Sequence, residues 1–245
     1  MRTLAIDWGN TRLKIGVFEH NVLQEVVNLP DAQSLYSFVG QARAQYAILM
    51  ATQHLPAEAL PTLQGFLPTQ HFLPTSPLPI AHTYLTPHTL GTDRLATAVG
   101  AWATFPKTNC LIIDAGTCIT LDFLNEDGIF EGGNITLGIA MRFKALQHFT
   151  AKLPLVQASD FISPTLTGKT TQQAIHNGVL LGVISEIEGT IQAYYNLFPT
   201  LKVLLCGGDA DFLGSLLKYP IFALPNLGLI GLYQILQHKF INQGL

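Results

Sequence analysis

The feature that most constrains the fold is a repeated pattern in which an apolar strand runs into an Asp, a Gly and a Thr and then resumes as a second strand. The first copy is "LAIDWGNTRLKIGVF", and it predicts strands at residues 3–8, 13–18 and 22–27. The second copy is "LIIDAGTCITLDFL", and with the residues that follow it predicts strands at 111–115, 118–124 and 129–135. Short apolar runs cut by turn-forming residues are typical of β-hairpins. The repeat therefore predicts an architecture with two related halves, each containing a glycine-turn hairpin.

Helical spacing appears between the two hairpins. In "GTDRLATAVGAWATF", Leu95, Ala96, Val99 and Ala103 fall on one face of a helix, and Thr92 is the predicted N-cap. The Pro-rich stretch before it, from "HLPAEALP" to "TPHTLG", limits helices to short pieces, because proline lacks the backbone donor that a helix interior needs.

Further helices are predicted towards the end of the chain. The pattern "GIAMRFKALQHFTAKL" has helical spacing, and a longer helix is predicted from Thr171 to about Leu197. Gly178 and Gly182 lie one turn apart on that helix, which allows the close approach of another helix. A final helix is predicted after Asn226. Strands and helices together indicate an α/β fold with mixed sheets.

Composition excludes several classes of function. Charged residues make up only 12% of the chain, with 13 basic against 16 acidic residues, so the chain lacks the basic stripe that nucleic-acid binding requires. We expect no nucleic-acid partner, no membrane span and no leader peptide. The three cysteines, Cys110, Cys118 and Cys206, are predicted to be buried reduced thiols of a cytoplasmic protein. The histidines lack zinc-ligand spacing.

The repeated turns have the chemistry of a nucleotide site. A Gly and a Thr in a tight turn present amides and a hydroxyl to phosphate oxygens, and a nearby Asp can hold a divalent cation. Both turns lead into a strand, whereas a P-loop leads into a helix. With "CGGDA" as a third glycine turn, Asp7 and Asp114 are predicted to point into one cleft. The alternative is that both turns are ordinary hairpin turns with locally bonded carboxylates.

The string "GTDR" places a carboxylate and a guanidinium at a helix start. The helix amides and Arg94 are suited to bind a substrate carboxylate, and Asp93 is suited to accept a proton from an attacking hydroxyl. The alternative is a capping carboxylate beside a solvated arginine.

Six strings in order resemble the motifs of type III pantothenate kinases. They are "DWGNTRLK" from Asp7, "GTDR" from Gly91, "DAGTCITLD" from Asp114, "GGNITLG" from Gly132, "TQQAIHNG" from Thr171 and "GGDA" from Gly207. The resemblance covers almost the whole chain. It implies the superfamily of acetate kinase, sugar kinases, Hsp70 and actin, with a duplicated RNase H-like (actin-like ATPase) fold. Its halves would be residues 1–108 and 109–245, with a central nucleotide cleft.

The resemblance also implies an activity. The family phosphorylates the primary hydroxyl of pantothenate to 4'-phosphopantothenate with ATP, which is the first step of coenzyme A biosynthesis. Magnesium and a monovalent cation, potassium or ammonium, are implied as cofactors. A homodimer is implied as the working form.

The resemblance implies roles only for residues at positions that match the family's motifs. Asp93 resembles the catalytic base. The first ATP phosphate loop is implied at Asp7, Trp8, Gly9, Asn10, Thr11, Arg12, Leu13 and Lys14. Thr117 resembles the second phosphate-loop contact.

Metal and substrate positions are implied in the same way. Asp114 resembles the monovalent-cation ligand, and Asp7 is also placed to organise magnesium. The implied substrate residues are Tyr84, Gly91, Thr92, Asp93, Arg94 and Thr171. Two positions depart from the family pattern, Thr92 where a small residue such as Ala is usual and Leu137 where Pro is common.

Two other functions fit the same fold. One is another small-molecule kinase of the superfamily, such as a sugar or N-acetylhexosamine kinase, because fold does not fix substrate. Tyr84, Thr171 and "GTDR" favour a substrate with a carboxylate and an amide instead. The other is a nucleotide-binding protein without turnover, which the presence of Asp93 disfavours.

Overall fold

The computed structural model of the chain describes residues 1–9, 13–160 and 163–243. The strands are β1 (Arg2–Trp8), β2 (Leu13–Glu19), β3 (Val22–Leu29), β4 (Tyr46–Ala51), β5 (Thr69–His71), β6 (Ala81–His82), β7 (Cys110–Ala115), β8 (Cys118–Leu124), β9 (Ile129–Leu137), β10 (Lys202–Cys206) and β11 (Phe222–Ala223). The helices are α1 (Ala32–Gln41), α2 (Ala59–Phe66), α3 (Thr92–Thr104), α4 (Ile139–His148), α5 (Thr171–Leu197), α6 (Ala210–Gly214) and α7 (Leu227–Gln243). The predicted hairpin strands and helices are confirmed.

The chain folds into two compact units. One contains residues 1–108, 123–132 and 226–245, and the other contains 109–122 and 133–225. The predicted division into halves 1–108 and 109–245 refers to the repeated fold, and it stays a prediction. The packing of the chain assigns two later segments to the first unit.

The first unit is built on a five-stranded mixed sheet in the order β3-β2-β1-β4-β5. The β1–β2 and β2–β3 pairs are antiparallel, whereas β4 is parallel to both β1 and β5. Leu4, Ile6 and Ile15 alternate along β1 and β2 and share one buried cluster with Leu35 of α1 and Leu63 of α2. Burial of this period-2 set fixes the register, because a one-residue slip would turn it towards solvent.

The β2–β3 turn is tied to the last helix of the chain. His20 and Asn21 both have positive φ, 50° and 67°, as the commonest two-residue hairpin turn requires. The Tyr233 hydroxyl on α7 donates to Asn21 Oδ1 at 2.6 Å, and its ring stacks on Phe18 with centroids 4.2 Å apart. The C-terminal helix therefore closes the first unit.

Helix α7 packs against α3 at two glycines. A Cβ at Gly100 of α3 would overlap the Leu227 carbonyl, and a Cβ at Gly231 would overlap the Ala96 carbonyl. The close approach of another helix that Gly178 and Gly182 allow is not made by the described residues of this chain. Within the described residues no atom lies within 4 Å of a Cβ placed at either of those positions.

The second sheet has the strand order β11-β10-β7-β8-β9-β6. Strand β10 is parallel to β7 and to β11. Leu111, Ile112 and Ile113 of β7 are each fully buried. A continuous apolar run of this kind is typical of a strand covered on both faces. Among the described residues, no helix is long and apolar enough to cross a membrane.

The cysteines are predicted correctly in part. All three lie in the described part of the chain and none forms a disulfide there, but Cys118 is exposed while Cys110 and Cys206 are buried. Cys118 begins β8, directly after the turn, and its side chain therefore remains in solvent. Burial raises the pKa of Cys110 to about 12, which keeps its thiol protonated.

Because Cys118 is exposed and the other two cysteines are buried, we expect alkylation of the native protein to be selective for Cys118. In native protein at pH 8, iodoacetamide is expected to modify one thiol per chain, and in denaturant it is expected to modify three. Mass spectrometry of tryptic peptides reads the sites, with Cys118→Ser as the control that removes the native signal. Native labelling of Cys110 at the rate of Cys118 would contradict the burial.

Candidate active site

The first predicted phosphate loop includes the end of β1 and the start of β2, which the chain connects directly. Asp7 of β1 is directly opposite Lys14 of β2, so the two side chains share one face of the sheet. Trp8 and Leu13 are buried in the core, which leaves only their main chain for a ligand. Gly9 is half-buried. Of the predicted loop residues, Asn10, Thr11 and Arg12 lie outside the described residues.

Thr52 and Gln53, which follow β4, hold this loop. The sequence patterns predicted no role for either residue. Gln53 Nε2 donates to the Gly9 carbonyl at 3.1 Å. The Thr52 amide donates to the Trp8 carbonyl at 3.2 Å. Gln53 is 44 residues from Gly9 and belongs to none of the motifs. Only its contact in the structure identifies it.

The start of α3 presents the Asp93 carboxylate. Asp93 Oδ1 accepts from the Arg94 amide at 2.9 Å and lies over Gly91, where a Cβ would overlap it. Gly91 has extended backbone and is the N-cap, and Thr92 is the first helical residue, so the prediction of Thr92 as N-cap is wrong. The carboxylate of Asp93, the second residue of the helix, occupies the space that a Cβ at position 91 would need. The positive end of the helix dipole favours a negative charge there.

Arg94 is buried, so the alternative of a solvated arginine is wrong. Only 4% of the residue is exposed. Its guanidinium carbon is 5.6 Å from the Tyr84 ring centroid and 5.7 Å from that of Phe130, and Nη1 donates to the Tyr84 hydroxyl at 3.5 Å. These distances allow cation–π attraction. The structure therefore brings together two of the predicted substrate residues.

A cavity of about 650 Å³ opens beside Asp93. Its walls are residues 51–55 after β4, residues 71–74 from β5 onwards, and residues 90–93. His54 and His71 belong to this lining, and the sequence analysis gave neither a role. Burial lowers the pKa of His71, which favours its neutral imidazole. The Pro-rich stretch therefore builds a wall of the site.

In the second unit, Asp114 lies at the end of β7 against a glycine turn. Gly207 has φ +95°, and a Cβ there would be 2.5 Å from Asp114 Oδ1 and would overlap the Ala115 carbonyl. The Asp209 amide donates to the Ala115 carbonyl at 2.9 Å. The "CGGDA" turn is therefore packed on the carboxylate, which explains its glycine.

Thr117 is exposed in the β7–β8 turn. The Gly116 amide donates to the Cys118 carbonyl at 2.9 Å, which closes the turn. The Gly138 amide donates to the Thr117 carbonyl at 3.2 Å, and a Cβ at Gly138 would overlap the carbonyls of both Gly116 and Thr117. The start of α4 is therefore packed on the second predicted phosphate loop.

A second cavity, of about 600 Å³, lies within the second unit. Its lining is mainly apolar and comes from α4, residues 155–159 and the start of α6, with Lys144 and Asp209 among its polar members. Thr171, the remaining predicted substrate residue, is exposed at the first position of α5. It belongs to the second unit, whereas Tyr84 and 91–94 belong to the first.

The donor set limits what metal chemistry fits. Across residues 1–9, 13–160 and 163–243, no group of three or more His, Cys, Asp or Glu side chains is arranged to hold a metal ion. Asp7 and Asp114 are instead single carboxylates beside glycine turns. Single hard oxygen ligands fit magnesium that is held largely by substrate phosphates, and they fit a weakly bound monovalent cation.

Curated proteins similar in sequence share one name. A type III pantothenate kinase from Cytophaga hutchinsonii is 44% identical over 238 residues, 96% of this chain and 99% of that protein. One from Azobacteroides pseudotrichonymphae is 40% identical over 242 residues, 97% of this chain and 98% of that protein.

Solved structures with a similar fold are more distant in sequence. A protein from Campylobacter jejuni described as a Baf family transcriptional activator has a TM-score of 0.66 at 21% identity, covering 99% of this chain and 100% of that one. The ROK hexokinase from Thermus thermophilus has a TM-score of 0.54 at 14% identity, covering 96% and 98%. These likenesses confirm the predicted fold class, the duplicated RNase H-like fold of actin-like ATPases.

The family assignment rests on sequence over most of the chain. The family model described as type III pantothenate kinase matches residues 3–193, which include both glycine-turn hairpins, the start of α3 and nearly all of α5. The relatives named above match almost end to end. With the Asp93, Arg94 and Tyr84 arrangement in the described structure, these matches lead to one conclusion: the chain belongs to the type III pantothenate kinase family.

Proposed function

We propose that this protein transfers the γ-phosphoryl group of ATP to the primary hydroxyl of pantothenate, giving 4'-phosphopantothenate and ADP. This is the first step of coenzyme A biosynthesis. The observation that carries the proposal is the Asp93 carboxylate at the amino end of α3, next to the buried Arg94 and its Tyr84 partner. Membership of the kinase family supports it.

Substrate recognition is proposed at the start of α3. Pantothenate offers a carboxylate, an amide and two hydroxyls. Amides at a helix start and a planar guanidinium bind such oxygens well. The Tyr84 hydroxyl adds a polar group beside Arg94. We propose Gly91, Thr92 and Thr171 as the remaining contacts, from their match to family motifs.

The proposed chemistry is in-line displacement at phosphorus. Asp93 accepts the proton of the pantothenate hydroxyl as that oxygen forms its bond to the γ-phosphorus, and ADP leaves with the electrons of the broken P–O bond. The protein mainly positions the reactants and stabilises charge on the phosphoryl oxygens. Asp93 is partly exposed in the described chain, so its carboxylate is reachable.

Phosphate binding is proposed at two places. The loop from Asp7 to Lys14 contacts the phosphates through amides and the Lys14 ammonium, and Thr117 contacts them from the second turn. The apolar cavity of the second unit is proposed to hold the adenosine part of ATP, which is supported by its volume and its lining by Phe143 and Phe212.

Two ions complete the proposal. Asp7 would hold magnesium and Asp114 would hold potassium or ammonium, and both ions would offset negative charge on the phosphates. The packing of Gly207 on Asp114 supports a fixed position for this carboxylate. We extend the proposal to a cytoplasmic homodimer, as the resemblance implies. Each chain of the dimer would consist of halves 1–108 and 109–245.

ADP release tests the proposal directly. Purified protein is assayed with ATP and magnesium, with and without pantothenate, in potassium, ammonium and sodium buffers. We expect pantothenate-dependent ADP release that is faster in potassium or ammonium. A folded protein that releases ADP with glucose or N-acetylmannosamine, and not with pantothenate, would overturn the substrate.

A further inference from the structure

Arg142 makes an unusual set of contacts for a residue in the first turns of a helix. On α4 its Nε donates to the Leu137 carbonyl at 2.8 Å and its Nη2 donates to Thr136 Oγ1 at 3.0 Å. The same Nη2 forms an ion pair with Glu186 of α5. The side chain is 20% exposed. One guanidinium thus joins the end of β9, the start of α4 and the middle of α5.

Local electrostatics oppose a cation at this place. The amino end of a helix carries partial positive charge, so an arginine in its first turns is disfavoured unless other contacts offset the repulsion. Glu186 supplies the opposite charge, and two acceptors near the β9–α4 junction supply hydrogen bonds to a charged donor. These contacts therefore hold the Arg142 guanidinium at the β9–α4 junction despite the repulsion.

The junction that Arg142 holds lies on the second phosphate loop. Gly138 directly follows Leu137, its amide donates to the Thr117 carbonyl, and a Cβ at Gly138 would overlap the carbonyls of Gly116 and Thr117. The Leu137 carbonyl is held in place by the bond from Arg142 Nε. Any movement of Leu137 is passed on to the Thr117 turn, because Gly138 and that turn are in van der Waals contact.

Thr117 is bonded to Gly138 through its carbonyl. Its carbonyl is turned towards Gly138, whereas the residue as a whole is exposed. The proposed function assigns the groups of Thr117 to the ATP phosphates. The orientation of those groups is therefore set by Gly138, and through it by Arg142.

We propose that Arg142 is a positioning residue that presents the Thr117 turn to the phosphates of ATP. Its loss weakens the binding of the nucleoside triphosphate and leaves pantothenate binding and the phosphoryl-transfer step nearly unchanged. The proposal rests on the proposed function in one respect, the role of Thr117 as a phosphate contact. Nothing else in it depends on the acceptor substrate.

A purely structural role for Arg142 predicts a different result. If the guanidinium only joins α4 to α5, its removal lowers the melting temperature and reduces the amount of active protein. In that case kcat falls with the active fraction, while KM for ATP stays at the wild-type value. The split between KM and kcat therefore distinguishes the two roles.

The experiment compares four substitutions in the full-length chain. Arg142→Met removes every polar contact of the guanidinium, and Arg142→Lys keeps the charge near Glu186 but cannot bond both acceptors. Glu186→Gln leaves the bonds to the β9–α4 junction in place. Arg2→Met, which removes the partly exposed Arg2–Glu19 pair of the first unit, is the control for loss of an ion pair.

The measurements are kcat, KM for ATP, KM for pantothenate, the melting temperature, and the Kd for a non-hydrolysable ATP analogue. We expect Arg142→Met to raise KM for ATP and the analogue Kd about tenfold, with kcat and KM for pantothenate within about twofold of wild type. Arg142→Lys is expected to fall between wild type and Arg142→Met. We expect Glu186→Gln to cause a smaller rise, and Arg2→Met to cause none.

Unchanged KM and analogue Kd in folded Arg142→Met overturn the inference. If Arg142→Met does not fold, wild-type nucleotide affinity in Arg142→Lys overturns it instead. Failure of the proposed function has a different signature, because wild-type protein would then release no pantothenate-dependent ADP. The Kd of the ATP analogue still tests Arg142 in that case.

Discussion

Replacing Asp93 with Asn is expected to lower kcat by about 10²–10⁴-fold, the range that general-base catalysis usually contributes. The amide oxygen of Asn can still accept from the Arg94 amide, so the helix start is expected to keep its structure. What the amide cannot do is accept the hydroxyl proton as the P–O bond forms. KM for ATP is expected to remain within about threefold, because Asp93 makes no proposed contact with the nucleotide.

Steady-state kinetics with ATP and pantothenate measure this effect, and circular dichroism on heating measures the fold. The matched control is Asp127→Asn, an exposed acid in the β8–β9 turn of the same unit, for which wild-type kinetics are expected. Near-normal turnover by a well-folded Asp93→Asn protein would remove Asp93 as the base. Loss of folding in Asp93→Asn would instead place the carboxylate among the determinants of stability.

The second large effect is expected from Gly207→Ala. Its φ of +95° is a conformation that side chains rarely adopt, and the new Cβ would meet Asp114 Oδ1 at 2.5 Å and overlap the Ala115 carbonyl. Backbone strain and overpacking each cost about 1–3 kcal/mol, so the free energy of unfolding is expected to fall by about 2–5 kcal/mol. Displacement of the carboxylate is also expected to raise the potassium concentration needed for half-maximal activity.

The neighbouring glycine provides a matched control. In the described structure no atom lies within 4 Å of a Cβ at Gly208, and its φ is not in the left-handed region. Gly208→Ala is expected to change the free energy of unfolding by less than about 1 kcal/mol. Urea titration of both variants measures the difference. Equal stability of the two variants would contradict the packing of Gly207 on Asp114.

Patterns within short segments were readable from the sequence. The hairpins follow from period-2 apolar runs and turn residues, and α5 begins and ends at Thr171 and Leu197 as predicted. The pairing of β10 with β7 was not predicted, because parallel neighbours are joined by long connections and leave no local signal. The helix contact at Gly100 and Gly231 was missed for the same reason: the two glycines are far apart in sequence.

The candidate site divides in a similar way. Asp93, Arg94 and Tyr84 lie in or near one motif and were named from it, and the structure brings Arg94 and Tyr84 together. Gln53 and Arg142 were given no role, because the groups they bind lie elsewhere in the chain. Gln53 binds Gly9, and Arg142 binds Glu186, each 44 residues away. Solitary polar residues of this kind become visible only when distances are known.

The packing of α7 on α3 has a consequence for biosynthesis. Helix α3 packs against α7, residues 227–243, which are synthesised long after it. Domains tend to fold as units during synthesis. We therefore expect the nascent chain to hold α3 uncovered through most of translation, and protease protection of α3 in stalled chains is expected only after α7 has emerged. Catalytic competence is then expected only after α7 has been synthesised, so a translation product that stops before α7 is expected to carry no kinase activity.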